Sequence, residues 1–110
     1  MISLDDFQKI DIRVGTVVSA EPFPEARNPS IKLAIDFGPT LGTKRSSAQL
    51  TRHYTAEALV GRQVVAVVNF PPRRIAGCAS EVLVLGACPE AGDVVLLRPD
   101  SAVPDGAPIA

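Results

Sequence analysis

The chain has little of what most catalytic and metal sites are made from. It contains one histidine, two cysteines and no tryptophan among 110 residues. A catalytic triad or a metal site usually draws on several such groups, and His53 has no serine or cysteine near it in a nucleophile motif. Residues 38–42 lack the Lys-Ser/Thr pair of a phosphate-binding loop. The sequence therefore predicts a protein that is not an enzyme, with no catalytic residues, no cofactor and no metal site.

Long apolar runs are also missing. The longest ones, residues 64–68 and 82–85, have the length of strands and are far below the ~20 residues that span a bilayer. Cys78 and Cys88 could pair in principle, but two cysteines without an apolar signal segment are typical of free thiols in a reducing compartment. We therefore expect no membrane insertion and a cytoplasmic location.

Charge is nearly balanced overall but unevenly distributed. The formal net charge is −1, yet residues 44–74 hold six basic groups and one acidic group, whereas residues 75–110 hold one basic and five acidic groups. A local positive surface attracts phosphate or acidic peptide whatever the total charge. The middle third of the chain is therefore the first place to look for a binding surface.

Short strands dominate the hydrophobic pattern. The chain has the length of one domain, and its alternating or continuous apolar residues predict six strands, over residues 10–20, 31–37, 44–49, 62–70, 81–87 and 93–98. Gly15 interrupts the first strand and indicates a bend or bulge there. The continuous apolar run in the fourth strand predicts burial on both faces.

Two short helices and an irregular tail complete the predicted elements. Ser3 and Asp6 are spaced as a helix cap and predict one helical turn over residues 3–9. Thr55 as N-cap and Gly61 as the stop predict a helix over residues 54–60. Residues 99–110 are rich in proline, and composition alone predicts that this tail is disordered.

One helix between the third and fourth of five or six strands is the order of elements in an OB-fold, a small Greek-key barrel that binds oligonucleotides or other extended ligands. Other small barrels fit the strands as well, and the position of the single helix favours this one. We therefore predict an all-β, five-stranded OB-fold barrel over about residues 10–98 of a single domain, 1–110, with an N-terminal helical turn and a C-terminal extension.

Two segments resemble the signature of tRNA-binding domains, both those appended to methionyl-tRNA synthetases and the free-standing bacterial versions: DIRVGTV at residues 11–17 and NFPPRRIAGCASE at 69–81. The run FPPRRIAG, the strand SSAQ at 46–49 and the ending GDVVLLRPD at 92–100 resemble one branch of that family, the CsaA proteins, described as export-related chaperones. The resemblance covers essentially the whole chain.

This resemblance implies an OB-fold homodimer, in which residues 1–9 and 99–110 lie outside the barrel and form the interface. Val103 and Ile109 would then be interface contacts. The partners it implies are unfolded or precursor polypeptides, tRNA and the protein-export machinery. One departure argues against tight tRNA binding: Val82 and Leu83 stand where the tRNA-binding relatives have Gly-Met.

The predicted ligand-binding residues combine the basic block with the family segments. They are Lys44, Arg45, Ser46, Gln49, Asn69, Phe70, Pro71, Arg73, Arg74, Ile75, Ser80 and Glu81. The basic members would contact phosphates or acidic side chains, and the proline-stiffened segment at Phe70 offers an apolar ridge for an extended peptide. Phe70 fits equally well as a core residue at the end of its strand. We expect Glu81 to pair with Arg73 or Arg74.

Three functions remain open at this point. The first is a chaperone that binds unfolded or pre-secretory polypeptides, and the alternative is a tRNA-binding protein that uses the basic face. A scaffold that only recruits another protein would show neither behaviour and is a third possibility. Only Phe70 and Tyr54 are placed to stack on bases, so general single-strand nucleic-acid binding has weaker support. We interpret Arg52 and Arg62, on or near the second helix, as ordinary surface charges.

Overall fold

A computed structural model describes residues 1–110 except for the side chain of Ile75. Its helices are α1 (Leu4–Gln8), α2 (Gly38–Leu41) and α3 (Ala56–Leu59). Its strands are β1 (Ile12–Pro22), β2 (Ile31–Asp36), β3 (Thr43–Ala48), β4 (Gln63–Val67), β5 (Arg73–Ile75), β6 (Cys78–Ser80), β7 (Leu83–Val84), β8 (Gly86–Ala87) and β9 (Val95–Leu96). Among the described residues no helix is both long and apolar enough to cross a membrane.

Five antiparallel strands form a nearly closed barrel in the order β3-β2-β1-β4-β7. The long strand β1 belongs to both sides of it, because its first half pairs with β4 and its second half with β2. The remaining gap is bridged where the Ser46 hydroxyl donates a hydrogen bond of 2.8 Å to the Val82 carbonyl. This architecture, with α3 between β3 and β4, confirms the predicted all-β OB-fold.

The barrel interior is filled mainly by aliphatic side chains. Strand β2 alternates as predicted, with Ile31, Leu33 and Ile35 buried and the residues between them half-buried. Strand β4 is buried along Val64–Val67, as expected for a strand covered on both faces. Each of these strands is thus buried as its own sequence pattern predicts, alternately in β2 and continuously in β4.

The irregularity of β1 lies two residues beyond the predicted position. The register with β2 shifts between Val17 and Ser19, and the alternation breaks there, since Val17 is 1% exposed and Val18 is 49% exposed. Of the predicted bend or bulge at Gly15, the bulge is excluded, because the register with β4 is regular there. Gly15 instead lets β2 pack closely, because a Cβ at this position would lie 2.6 Å from Ile35 Cγ2.

The helices begin where the capping residues predicted. At α1 the Ser3 hydroxyl accepts the Asp6 N–H and the Asp6 carboxylate accepts the Ser3 N–H, a complete capping box. The Thr55 hydroxyl accepts the Ala58 N–H at the start of α3. The predicted turn between β2 and β3 contains the single helical turn α2.

The C-terminal tail is ordered against the barrel, so the prediction of disorder from composition is wrong. Gly106 donates to the Val14 carbonyl at 2.7 Å, Val14 donates to the Ala107 carbonyl at 3.0 Å, and Ile109 donates to the Ile12 carbonyl at 2.9 Å. These bonds occupy the edge of β1 that does not face β4. The prolines stiffen the tail, and its backbone partners come from a strand distant in sequence.

The predicted basic loop after β4 is a hairpin. Strands β5 and β6 pair in antiparallel register and are joined by a turn at Ala76 and Gly77, both with positive φ. Glycine adopts that conformation without strain, and the pattern is that of a tight hairpin turn. The predicted fifth strand is divided into β7 and β8, and the sixth is the short β9, which pairs with β8.

Candidate ligand-binding grooves

The β5–β6 hairpin separates two grooves on the barrel surface. Its register pairs Arg73 with Ser80 and Arg74 with Ala79. Successive side chains of a strand point to opposite faces, so Arg73 and Ser80 line one groove while Arg74 and Ala79 line the other. The two neighbouring arginines, predicted to share one surface, therefore serve two.

The first groove, here called the apolar groove, has a volume of about 460 Å³. It is lined by Phe70, Pro71, Arg73, Ser80, Glu81, Val82 and Leu83. Phe70 is 53% exposed and Leu83 is 48% exposed, so the interpretation of Phe70 as a core residue is wrong. Exposed aromatic and branched side chains beside a proline form a surface suited to apolar side chains of a ligand.

The second groove, here called the polar groove, has a volume of about 540 Å³. Strands β1, β2 and β3 form its floor and the hairpin forms its wall. Three cationic side chains line it, Lys32, Arg45 and Arg74, together with one carboxylate, that of Glu21, and the Ser47 hydroxyl. The arrangement can bind an anion through several charge-assisted hydrogen bonds at once.

Lys32 is the site residue that the sequence prediction missed. Its ammonium lies 4.6 Å from the centroid of the Phe23 ring and 4.0 Å from Glu21 Oε1. A hydrogen bond with the Cys78 side chain, in the same groove, is the main cause that raises the pKa of Lys32 above its ordinary value. Lys32 could have been recognised as a site residue from the pairing of β2 with β3, which sets it opposite Ser47.

Several predicted residues lie outside both grooves. Lys44 lines neither groove, and Gln49 lines a separate depression with Arg52 and Gly92. The Asn69 amide is engaged in the fold, because Nδ2 donates to the Lys9 carbonyl at 2.8 Å and Oδ1 accepts the Asp11 N–H at 3.0 Å. The predicted contact through Ile75 lies outside the described side chains.

Two predicted residues line the grooves but are already hydrogen-bonded to the barrel. Ser46 is buried and its hydroxyl donates to Val82. Glu81 Oε1 accepts the Arg45 N–H at 3.0 Å. Within the described part of the chain Glu81 makes no ion pair with Arg73 or Arg74, so the expected pairing is wrong. Both residues join β3 to the segment that follows the hairpin.

The lone histidine lies apart from both grooves. His53 Nε2 contacts a carboxylate oxygen of Asp93, and neither residue lines either groove. Among the described residues, no three or more His, Cys, Asp or Glu side chains are grouped so that they could hold a metal ion.

A small, nearly closed barrel with two surface grooves defines the class, an OB-fold binding domain. The family described as "Putative tRNA binding domain" matches residues 12–108, and the chain belongs to this family. Methionine–tRNA ligase of Porphyromonas gingivalis is 37% identical over 108 residues, 98% of this chain and 15% of the ligase. That of Chlorobium chlorochromatii is 40% identical over 98 residues, 89% of this chain and 14% of the ligase. The chain thus spans about one-seventh of these relatives.

Solved structures match over the full chain. The chaperone CsaA of Bacillus anthracis str. Ames is 59% identical, with a TM-score of 0.96 over 100% of this chain and 99% of that chain. The CsaA chaperone protein of Picrophilus torridus is 48% identical, with a TM-score of 0.91 over 100% of both chains. The resemblance to the tRNA-binding family and to its CsaA branch is confirmed.

Proposed function

We propose that the chain is a homodimeric, non-catalytic chaperone that binds extended segments of unfolded or pre-secretory polypeptides. The observation that carries the proposal is the apolar groove, which exposed Phe70 and Leu83 line together with Pro71 and Arg73. Apolar side chains of a client would fill the groove, and an acidic side chain would contact Arg73. The likeness to the CsaA structures supports this assignment.

Aggregation of an unfolding client tests the chaperone proposal. Stoichiometric wild-type protein should slow the light scattering of a heated client, and Phe70→Ala should slow it less. Val60→Ala, at an exposed apolar position that lines neither groove and lies outside the proposed interface, is the matched control and should act like the wild type. Equal scattering with and without the wild-type protein would contradict the proposal.

The homodimer is proposed from uncovered apolar residues at the N-terminus. Ile2, Leu4 and Ile10 are exposed, and α1 has no buried residue. A surface of this kind is stabilised by burial against a second copy. We propose that residues 1–9 and 99–110 form the interface and lie outside a barrel of about residues 10–98. The whole chain, residues 1–110, is then a single domain. Sedimentation equilibrium at micromolar concentration should give twice the monomer mass.

A second function, tRNA binding, is favoured by the polar groove. Lys32, Arg45 and Arg74 lie along one surface, and the family supports a tRNA ligand. In a mobility-shift titration at rising salt, log affinity should fall linearly with log salt. The absence of any shift at low salt would exclude this function.

The proposed compartment is the cytoplasm, with the protein-export machinery as a further partner. Cys78 and Cys88 are both free thiols, the state that a reducing compartment maintains. Co-purification of the tagged protein with translocation components, lost in Phe70→Ala, would support the export partner.

A further inference from the structure

Arg73 and Arg74 are adjacent in sequence but line different grooves. We propose that polypeptide and RNA bind this chain at the same time, the polypeptide in the apolar groove and single-stranded RNA, through its phosphates, in the polar groove. The inference rests on the proposed function for the apolar groove. It adds that the two sites are independent, so that both ligands are bound together.

The cations of the polar groove are available to a ligand. Within the described part of the chain Arg45 and Arg74 form no ion pair. Lys32 is engaged more, since its ammonium lies 4.0 Å from the well-exposed Glu21 carboxylate, which lines the same groove, and Cys78 and Glu25 also attract it. The Arg74 guanidinium donates one hydrogen bond, to the Gly77 carbonyl at 2.9 Å. This bond fixes the side chain and leaves its other donors free for a phosphate.

The polar groove offers no aromatic surface. None of its lining side chains is Phe, Tyr or Trp, so bases have no ring on which to stack, and affinity must come from phosphate contacts. Each contact contributes about −0.7 to the slope of log affinity against log salt for single strands. Three cations therefore predict a slope of about −2 and little preference for base sequence.

The apolar groove has the opposite character. Its charged lining residues are one cation, Arg73, and one carboxylate, Glu81, whereas the polar groove has three cations against the single carboxylate of Glu21. Phe70, Pro71 and Leu83 supply the apolar contacts. The hairpin stands between the grooves, and a ligand in one does not cover the arginine of the other.

The matched pair Arg73→Ala and Arg74→Ala tests this arrangement, because both arginines are exposed and their loss should leave the fold intact. The probes are a labelled oligouridylate of about ten nucleotides and a labelled extended peptide with leucine and glutamate side chains. Arg74→Ala should weaken RNA binding by roughly tenfold, as for a lost charge-assisted hydrogen bond, and reduce the salt slope by about 0.7. Arg73→Ala should weaken peptide binding and leave RNA binding unchanged. Inorganic phosphate should compete with RNA and not with peptide.

A competition titration decides the independence. Saturating peptide should leave the oligouridylate bound, so that a complex with both labels forms. Displacement of one by the other at one-to-one stoichiometry, or equal loss of both ligands in both variants, would overturn the inference. If the wild type binds peptide but no oligouridylate, the inference fails and the chaperone proposal stands. If it binds no peptide, the chaperone proposal itself fails.

Discussion

Glu81 and Arg45 are joined by two hydrogen bonds across the nearly closed barrel. The Glu81 N–H donates to the Arg45 carbonyl at 2.8 Å, and Glu81 Oε1 accepts the Arg45 N–H at 3.0 Å. Arg45 lines the polar groove and Glu81 lines the apolar groove. The pair therefore fixes the position of the hairpin between the two grooves, and Glu81 acts on both as a positioning residue.

Glu81→Ala should destabilise the barrel by about 1 kcal/mol, since one side-chain hydrogen bond to the backbone is lost. Glu81→Gln keeps an acceptor oxygen and should cost less. Urea unfolding monitored by circular dichroism measures both variants. If Glu81→Ala and the wild type unfold at the same urea concentration, the carboxylate does not hold the hairpin.

Replacing an exposed and a buried phenylalanine should distinguish a contribution to peptide binding from a contribution to stability. Phe70 is 53% exposed and Phe37 is 1% exposed. Phe70→Ala should therefore change the free energy of unfolding by less than about 1 kcal/mol and weaken peptide binding, whereas Phe37→Ala should cost about 3 to 5 kcal/mol. Chemical denaturation and peptide titration of each variant make the comparison. A large loss of stability in Phe70→Ala would show that its ring is part of the core.

Gly15→Ala should destabilise the protein although alanine suits a strand better than glycine. The new Cβ would lie 2.6 Å from Ile35 Cγ2 and 2.9 Å from the Asp36 carbonyl oxygen, and such overpacking costs about 1 to 3 kcal/mol. Ser19→Ala, at an exposed position of the same strand, is the control and should be neutral within about 0.5 kcal/mol. Thermal unfolding of the two variants gives the difference.

Periodicity and capping residues were enough to predict most of the fold. The alternation in β2 and the capping residues Ser3 and Thr55 each depend on neighbours within a few positions. The tail could not be predicted in this way, because its partners Ile12 and Val14 lie about a hundred residues earlier in the chain. Gly15 likewise acts through Ile35 of the next strand, which lies beyond the reach of local sequence patterns.

The candidate site was predicted only in part, for a related reason. The sequence places Arg73 and Arg74 side by side, and only the hairpin register separates them onto two faces. Lys32 lies in the polar groove because β2 pairs with β3, a pairing that was not used to select site residues from the sequence. The Asn69 amide was predicted to contact a ligand. In the structure it is hydrogen-bonded to the backbone of residues 9 and 11.

Gln63→Leu should loosen the C-terminal tail. The Gln63 amide donates to the Val103 carbonyl at 2.7 Å and accepts the Val103 N–H at 3.1 Å. Losing both should cost about 1 to 3 kcal/mol, because half-buried backbone groups lose their partners. Limited proteolysis followed by mass spectrometry should show faster cleavage near residue 103 than in the wild type. Under the proposed dimer the variant should also dissociate at higher protein concentration, while an unchanged cleavage rate would contradict this role of Gln63.

The N-terminal helix should depend on pH through Asp6. The pKa of the Asp6 carboxyl is lowered from its ordinary value of 3.8. The main cause is the hydrogen bond with the Ser3 backbone N–H, followed by those with the Ser3 hydroxyl and with Lys9. Because the pKa of Asp6 is lower in the folded chain than in the unfolded chain, its carboxylate stabilises α1 fully at any pH above the unfolded-state pKa. The stabilisation is lost as the pH falls through the folded-state pKa. Amide exchange of α1 should therefore be constant between about pH 5 and 7, once corrected for the intrinsic rate, and increase below about 4. Asp6→Asn should abolish that increase, and an identical acid profile in this variant would assign it to another group.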